Sequence, residues 1–265
     1  MSNIAAAFNH GKAFIGFVTG GDPTIEKSEE FILEMVRAGA DLVEIGIPFS
    51  DPIAEGPVIQ EANIRALAAG STTDKIFGLV EKLRQKTAVP LVFLTYLNPV
   101  FHYGYDRFFQ RCQEAGVDGI IIPDLPFEEQ GEVRDVASRY GVDLISLIAP
   151  TSQERIREIA RTATGFLYLV SSMGVTGVRG EIQTDLGAII AAVKEQTTVP
   201  AAVGFGIHTP TQAAEIARIA DGVIVGSAIV KIAAEYGEKA GPHIYRYVKA
   251  MKGAIGGSRL TDTVA

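Results

Sequence analysis

The stretch AGADLVEI at residues 38–45 decides the fold, because its pattern recurs three times later in the chain. Each copy has a small-residue turn, an aspartate and then an apolar run. The other copies are AGVDGIII (115–122), YGVDLISL (140–147) and IADGVIVG (219–226). A small-residue turn that ends a helix and leads into an apolar strand is typical of alternating helices and parallel strands.

Short apolar runs continue this pattern along the whole chain, separated by amphipathic stretches such as residues 29–40 and 72–86. Strands spaced by helices pair in parallel. We predict strands at 13–19, 41–46, 90–96, 119–124, 143–149, 166–171, 201–205 and 222–226. Eight such units in 265 residues favour an α/β fold of the (β/α)8 TIM barrel type over an open sheet. We expect one domain over residues 1–265, with 256–265 as a disordered tail.

Composition narrows the class of protein. The net charge of −7 argues against non-specific binding to nucleic acid. Neither a signal peptide nor a membrane-spanning run is visible, so we expect a cytoplasmic protein without membrane attachment. Cys112 is the only cysteine, and the four histidines lack ligand spacing, so we expect no disulfide and no metal site.

The candidate chemistry lies where the second strand ends. Glu44 stands inside the apolar run LVEI, and the Pro- and Gly-rich turn after it carries Asp51 and Glu55. An acid inside an apolar run costs free energy unless it is paired or used. Barrel enzymes place their sites on the loops after the strands, so an acid at a strand end followed by an acidic loop indicates general acid–base chemistry.

Glycine clusters after the last three strands predict a phosphate site. They are SMGVTGVRG (172–180), with Arg179, GFGI (204–207) and GSAIVKI (226–232), whose SAIVKI is expected to open a short helix. Backbone N–H groups at glycine turns and helix N-termini bind anions, and barrels often hold phosphate after strands seven and eight. The first cluster is also long enough to act as a lid over substrate.

Two further loops carry candidate pocket residues. FVTGGDPT (17–24) follows the first strand, and its Thr24 is expected to cap the next helix. LTYLNPVFHYG (94–104) follows the third strand and reads as a loop, with Tyr96 and Asn98 facing the pocket and Phe101 and Tyr103 exposed. Exposed aromatic residues suit an aromatic substrate or a partner protein.

These motifs together resemble one known family, the tryptophan synthase α subunits. The resemblance covers nearly the whole chain, and its elements occur in the order typical of the family. They are FVTGGDP, LVEIGIPFSDPIAEGPVIQ, TYLNPVFHYG, PDLPFEE, GVTGVRG, GFGI and GSAIVK. The acidic second element is the most specific, since other phosphate-binding barrels share only the late glycines.

The resemblance implies a TIM barrel that cleaves indole-3-glycerol phosphate to indole and glyceraldehyde 3-phosphate. It implies catalytic roles for Glu44 and for Glu55, which stands where the family usually has aspartate. The implied mobile loops span Pro48–Glu55 and Gly174–Arg179. The implied substrate-binding residues are Phe17, Tyr96, Tyr168 and Thr176, and the phosphate-binding residues are Gly177, Gly206, Gly226 and Ser227.

The resemblance also implies a partner. In the family, indole passes to a β subunit that carries pyridoxal phosphate, within an α2β2 heterotetramer. Asp51, Asn98 and Phe101 match positions near that contact. This chain itself is expected to need no cofactor.

Glu55 is the departure from the family pattern. An added methylene moves the carboxylate by roughly 1 Å, which can cost about 100-fold in rate. We expect the surrounding loop to compensate, because the rest of the motif is intact. Three alternatives stay open: another phosphate-handling barrel such as an isomerase or a synthase, a regulatory subunit with weak chemistry, and a stand-alone lyase that releases indole. A synthase would need a strand-end lysine, which Lys12 and Lys231 supply poorly.

Overall fold

The computed structural model describes residues 2–150, 152–170, 181–204 and 206–256, and the side chains of 181–185 are not described. The described residues form a closed barrel of parallel strands in the order β1 to β8. This confirms the predicted (β/α)8 fold. The strands are β1 Ala13–Thr19, β2 Leu42–Gly46, β3 Leu91–Leu94, β4 Gly119–Ile121, β5 Asp143–Ile148, β6 Leu167–Val170, β7 Ala201–Gly204 and β8 Gly222–Val225.

Helices cover the outside of the barrel, and a short 3₁₀ helix at Ile4–Phe8 closes its amino-terminal end. The helices are α1 Ile25–Arg37, α2 Pro57–Ala68, α3 Thr73–Arg84, α4 Leu97–Tyr103, α5 Tyr105–Ala115, α6 Gly131–Arg139, α7 Gln153–Arg161, α8 Glu181–Lys194, α9 Pro210–Ile219, α10 Ser227–Tyr236 and α11 Gly241–Gly256. Gly256 ends the last helix, and the rest of the predicted tail, 257–265, lies outside the described residues.

Two apolar layers hold the barrel together. The larger lies between the strands and the helices, where residues such as Phe77, Phe93 and Phe108 pack edge to face. The smaller fills the barrel with inward side chains that alternate along each strand, such as Leu42 and Val92. This alternation points Glu44, two residues after Leu42, into the barrel.

Three of the four aspartates in the repeated pattern tie neighbouring strands together at the amino-terminal end. The carboxylate of Asp41 accepts a hydrogen bond from Phe14 N on β1 at 2.6 Å, and that of Asp118 accepts one from Leu91 N on β3 at 2.9 Å. Each also pairs with a helix cation, Lys252 for Asp41 and Arg84 for Asp118. Asp221 repeats the arrangement with Ala201 N and Lys194.

Two strands end two or more residues before their predicted carboxyl ends. Strand β4 was predicted to reach Asp124 but ends at Ile121, because Pro123 has no N–H to donate to the sheet. Strand β3 was predicted to reach Tyr96 but ends at Leu94. There the chain turns into helix α4, and Tyr96 becomes its N-cap residue.

The segment after β3 was wrongly predicted as a loop. Helix α4 occupies Leu97–Tyr103, and Asn98-Pro99, which suggests a turn, falls in its first helical turn where proline is tolerated. Tyr103 is not an exposed loop aromatic. Its ring lies half-buried against Phe77 and Phe108, with centroids 5.8 and 5.7 Å away.

We predict that Asp118→Ala lowers the free energy of unfolding by about 3 kcal/mol, because it leaves Leu91 N without its acceptor and Arg84 without its counterion. Urea titration followed by circular dichroism measures the change. Asp106→Ala is the control, since Asp106 makes only exposed contacts among the described residues, an ion pair with Arg139 and a 3.4 Å hydrogen bond from the Tyr140 hydroxyl, and its loss should cost below about 1 kcal/mol. Equal losses in the two variants would contradict this role of Asp118.

Candidate active site

Glu44 is a buried acid in the middle of β2. It lies in register with Phe17 on β1 and Val92 on β3, and its side chain is 1% exposed. Its Oε1 atom has no hydrogen-bond partner among the described groups. Burial raises the pKa of Glu44 from 4.5 to about 8, so this carboxyl carries a proton near neutral pH.

Tyr168 lies on the inward face of β6 and interacts electrostatically with Glu44. Burial, and then the negative charge of Glu44, raise the pKa of the Tyr168 phenol well above its usual range. Its ring fills the space beside Gly204, where an added Cβ would lie 2.4 Å from the phenol oxygen. Tyr168 is therefore a neutral phenol within electrostatic reach of the buried acid.

Glu55 lies in the loop between β2 and α2, in a different environment from Glu44. Its Oε2 accepts a hydrogen bond from Asn63 Nδ2 at 2.9 Å, and its main-chain oxygen accepts one from Gln60 Nε2 at 2.8 Å. Burial raises the pKa of Glu55, and the hydrogen bond from Asn63 opposes that rise. The site thus holds one carboxyl without a described partner and one that is held by an amide.

Tyr96 connects the acidic loop to the end of β3. Its phenol oxygen accepts a hydrogen bond from Ala54 N at 3.0 Å, and its ring lies 5.5 Å from that of Phe49. Burial, followed by the negative charges of Glu55 and Asp124, raises the pKa of Tyr96 to about 12. The predicted pocket residue is 2% exposed and anchors the backbone next to Glu55.

The described part of the predicted phosphate site lies after β7 and β8. Gly206 adopts a φ of +76°, which favours glycine, and Gly226 is the N-cap residue of α10, which begins at Ser227. The first N–H groups of a helix have no acceptor within it and are oriented toward an anion. Thr176, Gly177 and Arg179 lie outside the described residues.

Phe17 lies between Glu44 and the turn at Gly226 after β8. An added Cβ at Gly226 would lie 3.5 Å from the Phe17 ring, and one at Gly46 would lie 2.8 Å from it. Phe17 also packs in a small apolar cluster with Ile59, Ala62 and Val230 at the carboxyl end of the barrel. A flat apolar surface is therefore present beside Glu44.

The residues predicted to contact a partner lie on the rim of the barrel. Phe101 on α4 is 67% exposed, and Asp51 and Asn98 are also exposed. The sequence reasoning missed Ile53, which is 79% exposed on the acidic loop. Tyr96 joins this loop to the start of α4 through its hydrogen bond with Ala54 N.

Sequence reasoning also missed the role of helix α2. Its residue Asn63 is 4% exposed and binds Glu55, and two residues later Arg65 donates to both carboxylate oxygens of Asp22 at 2.8 Å. Asp22 was assigned no role from the sequence, whereas the cap predicted at Thr24 is confirmed. Recognition of the helix that Pro57 opens would have placed Asn63 about two turns from Glu55.

Two classes of site are not found in the described part of the chain. None of its clusters of histidine, cysteine, aspartate and glutamate could hold a metal ion. Within the same residues, every helix is too short or too polar to cross a bilayer.

We predict that Glu44→Gln stabilises the protein in a pH-dependent way. The unfolded carboxyl loses its proton near pH 4.5 and the folded one near pH 8, so stability from Glu44 is present below pH 4.5 and is lost as the pH rises toward 8. The free energy of unfolding of the variant relative to the wild type should rise by about 3 kcal/mol between pH 5.5 and 8.5.

Urea titrations at several pH values measure this difference. Glu132→Gln, at an exposed position on α6, is the matched control and should show a difference that does not change with pH. A constant difference for Glu44→Gln as well would show that Glu44 is not held as the protonated acid.

Comparison with known proteins agrees with this geometry. The family model "Tryptophan synthase alpha chain" matches residues 4–260. The tryptophan synthase alpha chain of Lacticaseibacillus casei is 51% identical, covering 96% of each chain, and that of Lactiplantibacillus plantarum is 50% identical over the full length of both. The crystal structure of tryptophan synthase subunit alpha from Legionella pneumophila is 39% identical, with a TM-score of 0.87, and covers 97% of this chain and 99% of that one. The chain therefore belongs to the tryptophan synthase alpha chain family, whose members cleave indole-3-glycerol phosphate.

Proposed function

We propose that this chain, a single-domain lyase without a cofactor of its own, cleaves indole-3-glycerol phosphate with Glu44 and Glu55 as its acid–base pair. The observation that carries this assignment is the buried Glu44 carboxyl, which burial keeps protonated near neutral pH on the inward face of a barrel strand. An acid that is protonated at rest is suited to give a proton to carbon, which is the difficult step of this reaction.

The pocket accommodates the two ends of the substrate in different ways. The indole ring lies against Phe17, Tyr96 and Tyr168, which supply apolar surface and a phenol beside Glu44. The phosphate lies at the loops after β6, β7 and β8. Its proposed ligands are the backbone groups of Gly177, Gly206, Gly226 and Ser227, while Thr176 completes the pocket. Phosphate binding far from the reacting bond holds the glycerol chain in place.

The reaction is a retro-aldol cleavage that moves one proton from the glycerol chain to indole C3. Glu44 protonates C3, which turns the ring into an indolenine that can leave. The Glu44 carboxylate then takes the proton of the adjacent glycerol hydroxyl. The carbon–carbon bond breaks, an aldehyde forms, and the bond electrons return to the ring.

Glu55 acts at the indole nitrogen. Its carboxylate accepts the N1 proton while C3 is protonated and returns it when the aromatic ring forms again. The hydrogen bond from Asn63 favours the ionised form of Glu55, whereas burial favours the protonated form of Glu44. Two carboxyl groups in different environments can divide the work in this way.

We propose that the natural partner is a tryptophan synthase β subunit in an α2β2 heterotetramer that receives indole and carries pyridoxal phosphate. A solved tryptophan synthase α2β2 complex from Pyrococcus furiosus contains a similar chain, with 36% identity, a TM-score of 0.84 and coverage of 92% and 99% of the two chains. Exposed apolar residues Ile53 and Phe101, with Asp51 and Asn98, supply a contact surface at the rim. We place this biosynthetic assembly in the cytoplasm.

Indole release from indole-3-glycerol phosphate tests the proposal. The purified chain should release indole slowly alone and much faster with a β subunit, and Glu44→Gln should lower kcat by at least about 100-fold. The Glu132→Gln variant is the control and should keep the wild-type rate.

Three outcomes would contradict parts of this account. Fast release that the β subunit does not change would indicate a stand-alone lyase. Wild-type activity in Glu44→Gln would remove that residue from the mechanism. No release with or without the partner would reject the lyase assignment for this chain.

A further inference from the structure

We infer that Asn63 on α2 is the positioning residue that holds the Glu55 carboxylate and allows a glutamate to work where the family usually has an aspartate. The inference rests on the proposed role of Glu55 at the indole nitrogen. Asn63 Nδ2 donates to Glu55 Oε2 at 2.9 Å, although Asn63 is only 4% exposed.

The contact fixes one of the two carboxylate oxygens. Oε2 is held by Asn63, and Oε1 makes no hydrogen bond with a described residue, so Oε1 is available to a substrate N–H. Asn63 cannot change its charge, and its amide offers two N–H donors and one oxygen acceptor. The hydrogen bond thereby restricts the flexible Glu55 side chain to a small set of orientations. This lowers the entropic cost of aligning its carboxylate with the substrate.

Helix α2 supplies a rigid base for this contact. Asn63 faces inward between Ala62 and Ala66, both fully buried, and Arg65 on the same helix binds the carboxylate of Asp22 through two hydrogen bonds. Asp22 lies on the loop after β1, so the position of α2 is fixed against the barrel. The amide of Asn63 is therefore held at a constant distance from the barrel end.

The acidic loop is fixed on its other side by Tyr96. The phenol accepts from Ala54 N, one residue before Glu55, and Gln60 donates to the Glu55 main-chain oxygen. The backbone of Glu55 is thus anchored independently of its side chain. Among the described residues, Asn63 is the one that donates a hydrogen bond to the carboxylate, so it constrains where the added methylene places the charge.

The electrostatic surroundings make the effect of Asn63 visible in a titration. Tyr96, whose pKa is about 12, stays neutral, and no charged side chain of the described residues shifts the pKa of Glu55. Burial raises the pKa of Glu55 and the Asn63 hydrogen bond lowers it. Removal of the Asn63 amide should therefore raise the pKa of Glu55, because no charged side chain among the described residues opposes that change.

The first test is the pH dependence of indole release by the purified full-length chain. Asn63→Ala should lower kcat about tenfold with a much smaller change in KM, and it should move the acidic limb of the kcat profile upward by about half a pH unit or more. Asn63→Asp, which keeps the shape but loses the donor, should move that limb further because two carboxylates then face each other.

The matched control is Gln60→Ala, which removes the hydrogen bond to the Glu55 backbone and leaves the carboxylate contact intact. Its acidic limb should stay at the wild-type pH. Equal upward shifts in Gln60→Ala and the Asn63 variants would overturn the inference, because the effect would then belong to the loop as a whole. An unchanged limb in both Asn63 variants would also overturn it.

A rescue experiment tests whether the side-chain lengths at positions 55 and 63 must match for the two groups to form their hydrogen bond. Glu55→Asp shortens the side chain by one methylene and should lose the Asn63 contact and several-fold in kcat. Asn63→Gln restores the missing length from the opposite side, so the double variant should recover most of that loss. If the loss of kcat in the double variant equals the combined losses of the two single variants, the inference is contradicted.

A second titration separates this inference from the proposed function. Carbon-13 NMR of glutamate carboxyl groups, assigned with Glu55→Gln, reports the pKa of Glu55 without any reaction. An upward shift in Asn63→Ala supports the inference even if the chain releases no indole, a result that would reject only the proposed function. No shift in the NMR titration would overturn the inference whatever the activity.

Discussion

The burial of one carboxyl group, that of Glu44, is the constraint on which the site depends. The period of two along β2 turns Leu42 and Glu44 into the barrel, and the register with Phe17 and Val92 surrounds the acid with apolar side chains. A charged carboxylate would be costly there, so the group holds its proton. The barrel thereby provides a carboxyl group that still carries its proton at neutral pH and has it available to donate.

The second acid is controlled by different means. Glu55 lies on a loop, where burial alone would leave its orientation undefined. Three side chains from two elements fix it: Tyr96 after β3 holds Ala54, and Gln60 and Asn63 on α2 hold the backbone and carboxylate. The same loop carries Ile53 to the exposed rim. A partner that binds the rim would therefore contact the segment that carries the proposed second acid, which gives a direct physical route for coupling partner binding to the rate.

The sequence predicted the barrel because the repeated turn–aspartate–strand pattern is local. The aspartates that precede β2, β4 and β8 each accept a hydrogen bond from a backbone N–H of the neighbouring strand. The residues that reveal the fold in the sequence therefore also hold adjacent strands together. Glu44 was predictable for a similar reason, since an acid in an apolar strand is visible without tertiary information. Its role and those of the pocket and phosphate residues came from the family resemblance.

Other features could not be read from the chain. Helix α4 was missed because Asn98-Pro99 suggests a turn, although proline fits the first turn of a helix. The Asn63–Glu55 and Arg65–Asp22 contacts join residues 8 and 43 positions apart, and only the packing of α2 on the barrel brings them together. A single asparagine or arginine on a helix carries no sequence signal for such a role.

The most direct test of the account is the titration of Glu44 itself. Carbon-13 NMR of labelled glutamate carboxyl groups in the unliganded chain, with the Glu44 signal assigned by its loss in Glu44→Gln, measures its pKa. The account predicts a pKa of about 8 and a protonated carboxyl at pH 7. A pKa near 4.5, the ordinary glutamate value, would mean that Glu44 is ionised at rest and would contradict the proposed proton donor.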